Sequence, residues 1–139
     1  MRNASLLVVA AVSLFIFSCA PDKKETAPDL DERDGYVGDW VCNELSVITG
    51  TTTYPVTISK STANKTDISI NRFYDIENQA VRVVVAGNTF SIPFQELKVV
   101  SGFSKGSGTL SSSKTTMSLA YTTTVSANRD TCRATYTKR

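Results

Sequence analysis

Residues 80–94 read AVRVVVAGNTFSIPF, and this stretch decides the fold. Every second residue from 81 to 85 is valine, so the valines share one face of a strand. The dipeptide Gly87-Asn88 follows, and after it the alternation of apolar and polar residues resumes. Both turn residues tolerate the positive φ that tight hairpins require. The stretch therefore predicts two antiparallel strands that each bury one face.

The same alternation continues on both sides of this hairpin, from Tyr36 to the end of the chain. Short runs are separated by glycine, asparagine and serine, and no segment keeps a helical period. If residues 37–45 form the first strand, the chain has eight or nine strands joined by short turns. This rhythm is typical of a barrel or a sandwich. We predict an all-β fold, an antiparallel up-and-down barrel.

Two cysteines suggest how such a barrel closes. Cys42 lies in the predicted first strand on the face of Trp40, and Cys132 lies in the last strand. If both side chains point inward, a disulfide between them would join the first strand to the last and leave no open edge. The chain-entropy model gives such a bridge about 4–5 kcal/mol for a loop of about 90 residues. Two buried free thiols are the alternative.

The N-terminal residues have the pattern of an export signal. Residues 1–18 begin with a charge and continue as an apolar run that is shorter than the roughly 20 residues of a membrane-spanning helix. The run ends at Ser18-Cys19, which resembles a bacterial lipobox. We expect Cys19 to be lipidated and to attach the mature chain to a membrane. An ordinary signal peptide with an incidental cysteine is the alternative.

The chain therefore divides into three predicted parts: a signal peptide at 1–18, a lipidated cysteine and flexible tether at 19–35, and a barrel domain at 36–139. The tether is charged and contains Pro21 and Pro28, so it has little apolar surface to bury. The expected location is the bacterial cell envelope, at the outer membrane, with the face of that membrane left open.

Composition excludes several classes of function. The chain has 15 Lys and Arg, 13 Asp and Glu and a net charge of +2, without the clustered basic stripe that nucleic acid requires. It has no histidine, the commonest general base and a common metal ligand. We therefore predict no nucleic-acid partner, no cofactor, no metal site and no enzymatic activity.

Short motifs resemble two related families. Gly38-Asp39-Trp40 resembles the Gly-x-Trp signature of lipocalins, in which the tryptophan plugs the closed end of the barrel. Residues 36–139 as a whole are similar to small lipocalin-like lipoproteins of Bacteroidetes, which share three elements, here Trp40-Val41-Cys42, Gly106-Ser107-Gly108-Thr109 and the segment 132–137. The resemblance implies a lipocalin-like barrel with a membrane anchor, and it implies no known activity.

Two functions fit this architecture. A binding barrel would hold a small apolar ligand in its mouth, with the candidate lining residues Trp40, Tyr54, Phe90, Phe94, Phe103 and Tyr121. Alternatively, the same side chains fill a solid core, and the domain binds an envelope protein or a glycan. Eight-stranded barrels occur in both forms, so alternation alone leaves the choice open.

Overall fold

A computed structural model describes residues 30–139 of the chain. The predicted signal at 1–18 and the predicted lipidation site Cys19 lie outside the described residues. Among residues 30–139, no helix has the length and hydropathy of a membrane span. The strands are β1 Gly38–Ser46, β2 Gly50–Lys60, β3 Asp67–Asn71, β4 Ala80–Ala86, β5 Thr89–Leu97, β6 Gly102–Leu110, β7 Thr116–Val125 and β8 Asn128–Lys138.

The eight strands form one closed antiparallel barrel in sequential order. Each strand pairs with its neighbours in the chain, and β1 pairs with β8 from Trp40 opposite Lys138 to Ser46 opposite Cys132. This confirms the predicted all-β, up-and-down barrel. Gly87, with φ of 60°, supplies the positive φ in the turn between β4 and β5, and the valines at 81–85 are buried on one face.

The predicted disulfide is wrong. Cys42 and Cys132 both point into the barrel and are free thiols. Cys42 lies opposite Tyr136, whereas Cys132 lies opposite Ser46. The two cysteines are therefore four residues apart in register, or about 13 Å along the strands at about 3.3 Å per residue. Because a disulfide requires Cα atoms within about 7 Å, backbone pairing alone closes this barrel.

One end of the barrel is closed by the residues that precede β1, and we call it the tether end. Glu32–Gly35 form a 3₁₀ helix capped by Asp31. The guanidinium of Arg33 enters the barrel rim and donates to the backbone carbonyls of Ser61, Asn64 and Asp67 at 3.1, 3.0 and 3.3 Å. The predicted tether at 19–35 is therefore too long, since its last residues are packed against the barrel.

Two aromatic side chains seal the tether end from inside. The Oη of Tyr36 donates to the carbonyl of Gly87 at 2.9 Å, and the Nε1 of Trp40 donates to the carbonyl of Tyr36 at 2.8 Å. Both rings are fully buried, and burial raises the pKa of Tyr36 to about 12. Lys138 places its Nζ 5.3 Å from the centre of the Trp40 ring.

The opposite end, which we call the far end, is covered by the connection between β3 and β4. A 3₁₀ turn at Phe73–Asp75 lies in this connection. The ring of Phe73 is fully buried and lies 4.6 Å, centre to centre, from that of Tyr121. The Oη of Tyr74 reaches across to the carboxylate of Asp130 on β8, at 2.7 Å. Side chains therefore close both ends of the barrel.

The interior is filled at two glycines of β6. A Cβ atom on Gly108 would come within 2.3 Å of the ring of Phe90, and one on Gly106 within 2.4 Å of the Cβ of Tyr121. Each glycine therefore leaves the space that an aromatic residue of the neighbouring strand occupies. Each of these glycines therefore packs against an aromatic residue of a neighbouring strand, so that the interior is densely filled.

We predict that both interior cysteines react after unfolding without a reducing agent. The denatured chain, treated with iodoacetamide and digested, should yield alkylated peptides for Cys42 and Cys132 and no linked pair. In the folded chain both thiols should react slowly, because burial raises the pKa of each to about 12. A linked peptide in the unreduced sample would contradict the strand register described here.

We predict that Gly108→Ala lowers the free energy of unfolding by about 1–3 kcal/mol, because the added methyl group overpacks the core against Phe90. The neighbouring outward substitution Ser107→Ala should change it by less than about 0.5 kcal/mol. Urea denaturation of both variants measures the difference. A neutral or stabilising effect of Gly108→Ala would show that the interior has free space at this position.

Candidate functional site

The six candidate ligand residues separate into two groups. Trp40, Tyr54, Phe90 and Tyr121 point inward, and none is more than 4% exposed. Phe94 and Phe103 are 69% and 45% exposed on the outer wall. The prediction that these two phenylalanines line the barrel mouth is therefore wrong.

A β-bulge explains the position of Phe94. The pairing of β5 with β6 shifts between Ile92 and Gln95, so the strict alternation predicted from Phe90 and Ile92 stops one residue before Phe94. Phe103 lies outward because its neighbour Ser104 is one of the inward residues of β6. The inward face of β6 consists largely of glycine and serine, which conceals its alternation in the sequence.

A carboxyl group lies at the centre of the inward face. Glu44 is 2% exposed, and its Oε2 accepts hydrogen bonds from the hydroxyls of Tyr54, at 2.6 Å, and Tyr121. Burial raises the pKa of the Glu44 carboxyl, and the two tyrosine hydroxyls only partly offset this effect. The same burial raises the pKa of both tyrosines, so they act as donors.

A second carboxyl group lies nearer the far end. Asp130 accepts hydrogen bonds from the hydroxyls of Ser46 and Tyr74 and from the backbone N–H of Val47, the last at 3.1 Å. Burial pushes the pKa of Asp130 upward, but these hydrogen bonds outweigh it and leave the pKa below its usual value. Asp130 therefore ties the turn after β1 to β8 and to the cover of the far end.

Two thiols and the hydroxyl of Tyr136 are further polar groups of the interior. Cys42 lies beside Tyr54 and Tyr136, and Cys132 lies beside Tyr121. With pKa values raised to about 12, both thiols stay protonated and are poor nucleophiles. The Tyr136 hydroxyl is buried without a hydrogen-bond partner among residues 30–139. Within that range, no three Cys, Asp or Glu side chains are grouped as metal ligands.

Sequence reasoning missed Glu44 and Asp130, although a signal for both was present. Glu44 follows Trp40 and Cys42 at the spacing of two that places residues on one face, and Asp130 precedes Cys132 at the same spacing. The alternation of inward and outward residues along each strand would therefore have been enough to predict that both carboxyl groups lie inside the barrel.

The outer wall carries the other aromatic feature, which we call the aromatic pair. The rings of Phe94 and Phe103 stack with their centres 5.0 Å apart and their planes 10° from parallel. A shallow groove beside them is lined by the side chains of Lys105, Thr122 and Arg129. Aromatic rings at a protein surface commonly mark binding sites, because one apolar face remains available for contact.

Comparisons with known proteins agree with this architecture. No protein-family model and no curated protein sequence matches the chain. Among solved structures, a redesigned β-barrel is similar at a TM-score of 0.56 and 13% identity, over 78% of this chain and 96% of that one. The barrel EF1p2_mFAP2b, solved bound to DFHBI, is similar at a TM-score of 0.53 and 12% identity, over 78% of this chain and 98% of that one. At these identities the likeness concerns the fold alone.

We predict that Glu44→Gln changes how stability depends on pH. An acid with a higher pKa in the folded chain keeps its proton longer there, so the free energy of unfolding falls as pH rises above the ordinary value of 4.5. Glutamine keeps the shape and the acceptor oxygen but does not ionise. The stability of Glu44→Gln relative to the natural chain should therefore increase as pH rises from 4.5 toward neutrality.

Two further variants are matched controls for this experiment, which is read by urea denaturation at several pH values. Glu77→Gln, at an exposed position, should change the free energy of unfolding by less than about 0.5 kcal/mol. Glu44→Ala should lose about 1–3 kcal/mol, because the hydroxyls of Tyr54 and Tyr121 then lack their acceptor. Identical pH profiles for the natural chain and Glu44→Gln would show that the carboxyl is not buried.

Proposed function

We propose that this chain is a lipid-anchored protein of the bacterial outer membrane, and that its barrel is a non-catalytic domain that binds an envelope partner on the outer wall. The signal at 1–18, Cys19 and the similarity to small lipocalin-like lipoproteins of Bacteroidetes support the anchor. The closed eight-stranded barrel is consistent with a binding domain.

The observation that carries this proposal is that the barrel is closed at both ends while two large rings lie outside. The plug at Tyr36 and Trp40 occupies the tether end, and Phe73 occupies the far end. A ligand entering the interior would have to displace one of these groups. By contrast, the aromatic pair is accessible without any rearrangement.

The position of the anchor favours the same surface. The N-terminal segment reaches the barrel at the tether end, where Arg33 fixes it to three backbone carbonyls. Phe103 lies one residue after the start of β6, which leaves the turn at the far end. The aromatic pair is therefore held away from the membrane that the lipid would occupy.

A small apolar ligand inside the barrel is the second candidate. The solved barrel bound to DFHBI has a similar fold, and the interior of this chain contains an unpartnered hydroxyl on Tyr136. A ligand that accepts a hydrogen bond could satisfy that hydroxyl. This function requires either the segment at Phe73–Asp75 or the plug at Tyr36 and Trp40 to open.

We predict that a photo-cross-linking residue at the aromatic pair captures the partner. Replacing Phe103 by p-benzoylphenylalanine and irradiating whole cells of the source bacterium should give a conjugate larger than the chain. The control carries the same residue at Ser59, an exposed outer position on β2, which lies four strands from β6 in either direction around the barrel. It should give no such conjugate, because the proposed contact is confined to one side of the barrel.

Two results would contradict the proposal. Equal conjugates at Phe103 and Ser59 would indicate nonspecific contact. No conjugate at either position, together with a stoichiometric small molecule retained by the full chain in native mass spectrometry, would favour the interior ligand.

A further inference from the structure

The outer side of β6, β7 and β8, which we call the basic wall, has an unusual distribution of charge. Lys105, Arg129 and Arg133 are its exposed cations. The only carboxyl group in these three strands is that of Asp130, which points inward. Within residues 30–139, none of the three cations forms a salt bridge.

Strand register places these cations around one surface. Lys105 is opposite Thr122, which is opposite Thr131, so one row crosses all three strands. Arg129 and Arg133 lie on either side of Thr131 along β8. The three charges therefore surround the middle of the wall, which favours the approach of an anionic ligand.

Hydroxyl groups occupy most other outward positions of this wall. They belong to serine and threonine residues at regular strand spacing, namely Ser107, Thr109, Thr116, Ser118, Thr122, Thr124, Thr131, Thr135 and Thr137. A hydroxyl both donates and accepts hydrogen bonds, which suits a ligand that itself carries hydroxyls. A groove of 530 Å³ crosses this wall from β6 over β7 and β8 to β1.

The aromatic pair borders the same wall. Phe103 is opposite Thr124, which is opposite Arg129. One row across β6, β7 and β8 therefore has a ring of the aromatic pair at one end and the guanidinium of Arg129 at the other. Glu96, opposite Phe103 on β5, is the nearest acidic neighbour of the pair along the sheet. It lies on the side of the pair away from the three cations.

We propose that the basic wall binds an acidic polysaccharide, with the aromatic pair stacked on the apolar face of a sugar ring. Each feature of the wall matches one feature of such a ligand. The unpaired cations match its carboxylate or sulfate groups, the hydroxyl rows match its hydroxyls, and the rings match its C–H faces. This inference rests on the proposed function, because it names the partner of the same surface.

Other ligands match this surface less well. A protein partner of ordinary affinity would need about 800 Å² of complementary surface with an apolar centre. Here the exposed apolar side chains lie at the borders of the wall, with the aromatic pair on one side and Leu45, Val47 and Ile48 on the other, whereas the middle of the wall is polar. A nucleic acid, with a phosphate at every nucleotide, would need a denser basic stripe than three cations separated by hydroxyl rows.

The experiment measures binding of the full chain, purified in detergent from its bacterial host, to immobilised polygalacturonate. Dextran serves as the neutral polymer and a single-stranded oligonucleotide as the phosphate polymer. We expect binding to polygalacturonate that weakens steeply as the salt concentration rises, because released counterions drive part of it. Binding to dextran and to the oligonucleotide should be at least about tenfold weaker, a difference that is resolvable in affinity.

Two triple variants with the same change in net charge separate the wall from general electrostatics. Changing Lys105, Arg129 and Arg133 to Gln should weaken polygalacturonate binding by about tenfold or more. The control changes three exposed cations at the tether end to Gln, namely Lys65, Lys114 and Arg139, and should retain the affinity. Phe94→Ser with Phe103→Ser should also weaken binding, and urea denaturation verifies that each variant folds.

Each other outcome has a definite meaning. No binding of the natural chain to polygalacturonate, or equal loss in both triple variants, overturns the acidic polysaccharide. Binding to dextran that depends on the aromatic pair alone would also contradict an acidic polysaccharide. So would tighter binding to the oligonucleotide that depends on the basic wall. Both results would still support a binding domain that uses its outer wall. If no polymer binds and Phe103 gives no photo-conjugate in cells, the proposed function fails as well.

Discussion

The pairing of β1 with β8 is the constraint on which the rest of this structure depends. It removes both sheet edges, and its register decides which side chains share the interior. Glu44 faces Ala134 in this pairing, so the carboxyl group sits between the two cysteines and keeps them apart. A shift of four residues would bring the thiols together but would leave one end of each strand unpaired. The register of the backbone hydrogen bonds therefore leaves the two thiols too far apart to form a disulfide.

A polar interior is costly, and the barrel compensates for it locally. Two of the buried carboxyl groups have their own pairs of hydroxyl donors, from Tyr54 and Tyr121 for Glu44 and from Ser46 and Tyr74 for Asp130. Buried polar groups with partners of this kind specify a unique arrangement, because any other packing leaves a donor or an acceptor unsatisfied. The cover of the far end is held by the same chemistry, since Tyr74 belongs to it.

Most of the fold could be predicted from the sequence. The alternation of apolar and polar residues marks the strands, and the glycine, asparagine and serine residues between them mark the short turns. The valines of 81–85 and the turn at Gly87 were sufficient for one hairpin, and six further connections and the pairing of β1 with β8 complete the barrel. The site was less predictable. The alternation of β1 could have located Glu44. In β5, however, a bulge interrupts the alternation before Phe94. The residue that each cysteine faces depends on the register of β1 with β8, which no local signal in the sequence specifies. Closure of the ends by residues 31–36 and 73–75 depends on contacts between distant parts of the chain.

The last residue of the chain has a practical consequence. The backbone N–H of Arg139 donates to the carbonyl of Asp39 at 3.0 Å, so residue 139 lies at the same end of the barrel as the N-terminal segment. A fluorescent protein fused after residue 139 would lie at the tether end and would leave the outer wall unobstructed. The two-residue turn at Ser126 and Ala127 is at the opposite end. An epitope inserted in that turn would bind antibody in intact cells only if the domain is exposed on the cell surface.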